Sequence, residues 1–297
     1  MTDQPRWVDP NRPDSPQPRT SFILTVTGAL LVLVVVATLV GVVLTSRSTD
    51  DPDSGIAIHL VGANVTPEHP FTASVLTAPV TISEPAASSF SALLQQIPIR
   101  SDRGARPVSG RVEGLYGAVP NGSPCDVVTL ANYLDADPGS AQAWASALGI
   151  TAQQIPYYLN TLIPVVLMGD TWVTSYNREG DATSQQTVLQ AGNAVLIDQV
   201  GVPRVHCASG APLGPPAKDS MARFHVDGDA WPGFVPQSVL VIKYAADDNA
   251  PGTAKLTLID ITSGQQITQT PGGNIDLGGR SAALPDPAAM NVPPTKG

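Results

Sequence analysis

The longest unbroken apolar stretch of the chain covers residues 22–44 and predicts a helix that spans a membrane. These 23 residues carry no charge, and 16 of them are Val, Leu, Ile or Phe. At 1.5 Å per residue the helix measures about 34 Å, against roughly 30 Å for the hydrocarbon core of a bilayer. A cleaved signal peptide has an apolar core of about 7–15 residues and a small-x-small site after it, and neither fits here. We therefore assign residues 22–45 to a transmembrane signal-anchor helix.

The charges that flank this stretch predict its orientation. Three arginines precede it within residues 1–21, whereas one arginine and three aspartates follow it closely (Arg47, Asp50, Asp51 and Asp53). Positive charge is retained on the cytoplasmic side of a membrane. The sequence therefore predicts a single-pass protein of the plasma membrane, with its N-terminus in the cytoplasm and its C-terminal domain extracytoplasmic.

Beyond the membrane segment, the spacing of apolar positions changes from helical to strand-like along the chain. Helical spacing predicts helices at residues 86–97 and 126–134. Asp137-Pro138 at the start and Gly149 at the end predict another helix at 138–148, and a short helix follows at 156–162. Spacing of two predicts strands at residues 164–176, 187–189, 193–198, 202–207, 238–244, 255–261 and 266–269, with short extended pieces at 56–61, 74–76 and 80–82. Helices followed by strands, without β-α-β alternation, predict an α+β fold with an antiparallel β part.

Changes in composition divide the chain further. Pro (29) and Gly (26) are abundant and aromatics make up only 5%, which favours turns and extended segments. The segments predicted are a disordered Pro-rich cytoplasmic tail (1–21), the membrane helix (22–45), a stalk and extended Pro/Ala-rich segment with one helix (46–113), an α+β core (114–216), a C-terminal β segment (217–276) and a disordered tail (277–297).

The net charge of −9 excludes some classes of partner. Nucleic-acid binding needs Lys and Arg that neutralise phosphates, and docking on anionic lipid needs a basic surface. An acidic exported region therefore predicts no nucleic acid partner. The bilayer itself is contacted through residues 22–45.

Cys125 and Cys207 are the two cysteines of the chain, and both lie on the predicted outer side. An even number of cysteines in an oxidising compartment predicts a disulfide. Closing a loop of about 80 residues would stabilise the fold by roughly 4–5 kcal/mol. The alternative, a reactive thiol beside His206, requires one cysteine to be unpaired.

Several short motifs of the core resemble a known family. They include Gly114-Leu115-Tyr116-Gly117, Cys125-Asp126, Ala141-Gln142-Ala143-Trp144-Ala145, Ile155-Pro156-Tyr157-Tyr158, Asp170-Thr171, Val188-Leu189-Gln190-Ala191-Gly192, Ala194-Val195-Leu196-Ile197-Asp198 and Gly201-Val202-Pro203-Arg204-Val205. Together they resemble actinobacterial envelope proteins that carry domain of unknown function 6777, over about residues 114–271. The resemblance implies an actinobacterial source and an exported domain behind an anchor. It supplies no catalytic residue.

One arrangement of side chains could hold a divalent cation. If His225-x-Asp227-x-Asp229 is extended, its three side chains share one face of a strand, and their donors suit such an ion. Gly228 and the Ala-Trp-Pro-Gly that follows fit a polar turn equally well. We therefore predict no bound metal or other cofactor, and keep these residues as a candidate.

Asp170 lies within a stretch predicted as an apolar strand, where a carboxylate needs a partner. Arg178 or Arg204 could supply that partner in a buried ion pair. A general base is the alternative, but no histidine or second carboxylate stands near it in sequence.

Four arginines form a basic run on the predicted outer side: Arg100, Arg103, Arg106 and Arg111. This run could meet an anionic polymer or an acidic partner surface. A solvated loop is the alternative.

Chemistry-bearing motifs are otherwise missing from the sequence. There is no G-x-S-x-G, no S-x-x-K, no H-E-x-x-H, no zinc-type cysteine spacing and no Gly-rich phosphate loop. We therefore predict a membrane-anchored extracytoplasmic binding or scaffolding protein of the cell envelope, an accessory component of a larger assembly with a protein partner. The alternative is an anchored hydrolase that acts on cell-wall material.

Overall fold

The computed structural model describes residues 56–99, 105–179, 181–217, 224–227, 229–243 and 255–277. Within these ranges no helix is long and apolar enough to cross a bilayer. The membrane helix at 22–45, the tail at 1–21 and all but the first residue of the tail at 277–297 lie outside the described residues. They remain predictions.

Four short α-helices precede most of the strands: α1 (Glu84–Leu94), α2 (Val127–Ala136), α3 (Pro138–Leu148) and α4 (Ile155–Thr161). Side-chain caps mark the start of α1, α2 and α3, and α4 has none. The carboxylate of Asp137 accepts hydrogen bonds from the backbone of Gly139 and Ser140, Pro138 opens the first turn, and Gly149 ends α3 in the left-handed conformation. All four helices occur where the sequence predicts them. Helix α3 has the predicted bounds, and the ends of the other three are shifted by one to three residues.

The described strands form one mixed sheet. In chain order they are β1 (Ile56–Val61), β2 (Arg106–Val108), β3 (Tyr116–Ala118), β4 (Ile163–Leu167), β5 (Thr171–Glu179), β6 (Asp181–Leu189), β7 (Ala194–Ile197), β8 (Pro203–His206), β9 (Ala211–Gly214), β10 (Phe224–Asp227), β11 (Leu240–Ile242), β12 (Leu256–Asp260) and β13 (Gln266–Gln269). Their order across the sheet is β10-β1-β6-β5-β9-β8-β7-β4-β3-β12-β13, and β11 joins β2 to β5. Most pairs are antiparallel, so the α+β class is confirmed.

The predicted strand at residues 164–176 is wrong as a single element. The chain turns at Gly169 and Asp170, which separates β4 from β5. The two strands also have different neighbours, since β4 pairs with β3 and β7 while β5 pairs with β6 and β9. Four further strands (β2, β3, β9 and β10) lie where the apolar pattern predicts none.

Residues 56–99 are built into this fold. Strand β1 lies between β10 and β6 and runs parallel to both. Helix α1 buries Ala86 and Phe90. Phe71 and Val75, which lie between β1 and α1 in the sequence, are also buried. This part of the segment predicted as extended and Pro/Ala-rich with one helix therefore contributes a strand, a helix and core side chains.

Buried apolar residues form two clusters. The larger one contains Leu130, Trp144 and Leu159 of the helices together with strands such as β4 and β7. The smaller one contains Ile58, Trp172, Val188 and Val239, with Trp231 and Phe234 packed against it.

The predicted disulfide between Cys125 and Cys207 is confirmed. Their Cα atoms are 5.9 Å apart, and both side chains are buried. Val75 lies between the two joined segments, because its N–H donates to the carbonyl of Cys207 and its carbonyl accepts from the N–H of Asp126. The bond therefore fastens the start of α2 to the end of β8, with the N-terminal segment held beside it.

Candidate functional site

A chain of hydrogen bonds between side chains lies at the centre of the sheet. His206 ends β8, Ser209 follows in the turn to β9, and Asn193 precedes β7. The His206 Nδ1 atom is 3.0 Å from the Ser209 Oγ, and its Nε2 atom is 3.0 Å from the Asn193 Oδ1. The Asn193 amide nitrogen donates to the carbonyls of Gln190 and Val61, which leaves Oδ1 as an acceptor. His206 therefore carries its proton on Nε2 and accepts the Ser209 hydroxyl proton at Nδ1.

These three residue types are those of a nucleophilic triad, but their burial excludes that role. Ser209 is 0% exposed, and His206 and Asn193 are each 1% exposed, so no substrate can reach the hydroxyl. Burial also lowers the pKa of His206 to about 4, so the imidazole is neutral. The sequence did not reveal this network because Asn193 is brought to His206 only through the pairing of β7 with β8. Its role is to satisfy buried polar groups.

Acid should destabilise the protein through His206. The folded-state pKa of about 4 lies below the ordinary 6.5, so the unfolded chain binds a proton at pH values where the folded chain does not. The resulting stabilisation is full above about pH 6.5 and is lost as pH falls towards 4, by about 3 kcal/mol in total. Urea unfolding at pH 7 and pH 4.5 should show this loss in the wild type and a smaller one in His206→Gln.

The matched control is His59→Gln, since the His59 side chain is 40% exposed. Hydrogen bonds lower the pKa values of Asp126, Asp137 and Asp260, so these groups titrate below the pH range in which His206 acts. Burial raises the pKa of Asp170, which acts with the opposite sign and is present in both proteins. Equal pH dependence in His206→Gln and the wild type would contradict the assignment.

Asp170 lies in the turn between β4 and β5 and is half-buried. Its Oδ1 atom accepts from the Ala191 N–H at 2.9 Å, and its Oδ2 atom accepts from the Trp231 indole N–H at 3.1 Å. Trp231 in turn meets Phe234 edge-on, with ring centroids 5.2 Å apart. Burial raises the pKa of Asp170, against the opposing effect of these two hydrogen bonds.

The predicted pairing of Asp170 with Arg178 or Arg204 is wrong. The Arg204 guanidinium binds Asp198, with Nε and Nη2 each 2.8 Å from Oδ2. Arg178 lies 3.8 Å from Asp137 and donates to Ser140 at the start of α3. Asp170 needs no cation, because neutral N–H donors occupy both of its oxygens.

The candidate cation ligands do not assemble in the structure. His225 and Asp227 lie on β10, and the Asp227 Oδ2 atom is 3.5 Å from the Nδ1 atom of His59 on the neighbouring strand. Among the residues that the structure describes, no three His, Cys, Asp or Glu side chains are placed to hold a metal ion. Asp229 lies beyond the end of β10.

The arginine run does not form an exposed patch in the described part of the chain. Arg100 and Arg103 lie outside that part. Arg106 belongs to β2 and is 9% exposed, while Arg111 is partly exposed. Because the Arg106 side chain is buried, it cannot belong to an exposed basic surface made by all four arginines.

Comparison with known protein families identifies a family for this chain. A family model described as Domain of unknown function (DUF6777) matches residues 106–272. No curated protein and no solved structure matches.

Proposed function

We propose that this chain, which belongs to the family described as Domain of unknown function (DUF6777), is a membrane-anchored binding or scaffolding protein. In this proposal residues 22–45 cross the plasma membrane and the folded domain stands on the extracytoplasmic side. There it holds another component of the cell envelope by contact, without a chemical step.

The observation that supports this proposal is the burial of the Ser209–His206–Asn193 network. Acid–base and nucleophilic catalysis need titratable groups that a substrate can reach. The histidine and serine that lie within hydrogen-bond distance of each other are sealed from solvent and committed to backbone and amide partners. A domain whose histidine and serine side chains are buried and already hydrogen-bonded within the protein is suited to a binding role.

The anchor is supported by the sequence alone. The uncharged stretch at residues 22–44 is long enough to span a bilayer, and the flanking charges favour a cytoplasmic N-terminus. The disulfide between Cys125 and Cys207 agrees with an oxidising compartment outside the cytoplasm.

An anchored hydrolase for cell-wall material is the second candidate, and Asp170 is the residue that favours it. A half-buried carboxyl with a raised pKa is typical of a general acid or base. Against this role, both of its oxygens accept hydrogen bonds from the protein itself.

Complementation of a deletion strain separates the two candidates. Asp170→Asn, His206→Gln and Asp227→Asn remove the acid–base capacity of three positions while keeping side chains of similar size and polarity. If the protein acts by contact, each folded and exported variant should restore the envelope phenotype. A version with a cleavable signal in place of residues 1–45 should not restore it. Loss of function in folded Asp170→Asn would instead favour the hydrolase.

A further inference from the structure

The turn that follows β3 carries the one Asn-Gly pair of the sequence, Asn121-Gly122. Both residues are exposed, and no hydrogen bond from the described part of the chain reaches the Asn121 side chain. Asn121 has a positive φ of 57°, and Pro120 precedes it. A proline followed by a residue with positive φ is the pattern of a type II turn, which accepts asparagine at that position. The turn therefore holds the Asn121 side chain at the surface.

The chain is fastened on both sides of this turn. Before it, the Ala118 carbonyl accepts from the Ile261 N–H at 3.1 Å. After it, the Thr77 hydroxyl donates to the Ser123 carbonyl at 2.6 Å, and the Thr77 N–H donates to the Pro124 carbonyl at 3.2 Å. The Asn-Gly pair is therefore presented by a folded frame, and a reaction there requires no unfolding.

Glycine after asparagine leaves the backbone nitrogen between them accessible, because no Cβ stands beside that nitrogen. Among the described atoms, the nearest that a Cβ on Gly122 would meet is Val119 Cγ1, at 3.8 Å. The space beside the nitrogen is therefore open. The side-chain amide of asparagine is also chemically labile, which is why thermophilic proteins use the residue sparingly.

Asn64 has a similar backbone conformation but a protected side chain. Its φ is 60°. Its Nδ2 atom donates to the Val80 carbonyl at 2.8 Å, and its Oδ1 atom accepts from the Val80 N–H at 2.7 Å. The residue that follows is Val65, whose branched Cβ crowds the backbone nitrogen. Asn64 is therefore an internal control for the reactivity of Asn121.

We propose that Asn121 is a site of covalent modification, at which the side chain deamidates through a succinimide. The Gly122 backbone nitrogen attacks the Asn121 Cγ atom and forms a C–N bond. The side-chain amide leaves as ammonia and takes up the proton that the Gly122 N–H releases. Water then adds to one of the two ring carbonyls and breaks its bond to nitrogen. Opening at one carbonyl gives aspartate, and opening at the other gives isoaspartate, so either product adds a negative charge to the turn.

Peptide mapping by mass spectrometry tests the site. The full-length protein in detergent is incubated in mildly alkaline buffer, which favours loss of the Gly122 proton, and samples are digested over time. The fraction of acid at Asn121 should rise steadily, as both aspartate and isoaspartate, while the fraction at Asn64 stays at its starting value. Gly122→Ala, which the open space accommodates, should slow the conversion several-fold without lowering the melting temperature.

Three results would overturn the proposal. Conversion at Asn121 in urea but none in the folded protein would show that the fold protects this turn. Conversion to aspartate alone would indicate direct hydrolysis, since a succinimide also opens to isoaspartate. An equal rate in folded Gly122→Ala and the wild type would exclude attack by the Gly122 nitrogen. The isoaspartate product in the wild type remains decisive if Gly122→Ala fails to fold. None of these measurements depends on the proposed binding role, so the two proposals fail separately.

Discussion

Replacing Cys125 and Cys207 together by alanine is expected to lower the free energy of unfolding by about 4–5 kcal/mol. The bond joins residues 82 positions apart, so its loss returns a large loop-closure entropy to the unfolded chain. Alanine is preferred to serine because a buried hydroxyl would add a desolvation cost of its own. Denaturant unfolding of the purified outer domain measures the effect.

The wild type under reducing conditions is the matched control for this variant. Once the disulfide is reduced, its stability should fall to that of the double alanine variant. The native protein should also show no titratable thiol before reduction. A loss below about 1 kcal/mol in the double variant would contradict a structural role for the disulfide.

Removing residues 56–99 is expected to prevent the family-matched region from folding. The deletion takes β1 from between β10 and β6 and leaves hydrogen-bonding edges on both. It also removes the buried side chains of Ile58, Phe71 and Phe90. At about 1.5–3 kcal/mol each, these side chains alone approach the 5–15 kcal/mol that stabilises a typical domain.

A fragment covering residues 106–277 tests this expectation against one covering residues 54–277. The longer fragment should give a cooperative melting transition and dispersed amide resonances. The shorter one should give neither. A cooperative transition in the shorter fragment, within a few degrees of the longer one, would show that residues 56–99 are dispensable.

Local signals explain which parts of the fold are predictable from sequence. Helix α3 is marked by Asp137, Pro138 and Gly149, whose effects act within one turn of the helix. The disulfide follows from the count of cysteines. Strand β9 is less visible, because Ala211–Gly214 contains a proline and a glycine and is recognised as a strand only through its neighbours β5 and β8.

Long-range contacts explain the errors at the candidate site. The partners of Asp170 are 21 and 61 residues away, and one of them is a backbone N–H that any residue could provide. Arg204 pairs with Asp198, six residues earlier across the turn that joins β7 to β8. That pairing was within reach of the sequence, because the two ends of a hairpin face each other.

Burial decides which of the roles suggested by residue type a side chain can fill. His206 and Ser209 stand three residues apart and do contact each other, yet both are closed to solvent. Arg106 belongs to a basic run in the sequence, yet its side chain is directed into the domain and against α1. Neither fact follows from the sequence pattern.

Co-purification from native membranes tests the central claim most directly. The tagged full-length protein is cross-linked in intact cells, extracted and analysed by mass spectrometry beside a tagged version that lacks residues 46–297. A binding or scaffolding role predicts one or more envelope proteins enriched with the full-length chain alone, and enriched equally with Asp170→Asn. Absence of any such partner, together with cleavage of cell-wall material by the purified domain that Asp170→Asn abolishes, would contradict it.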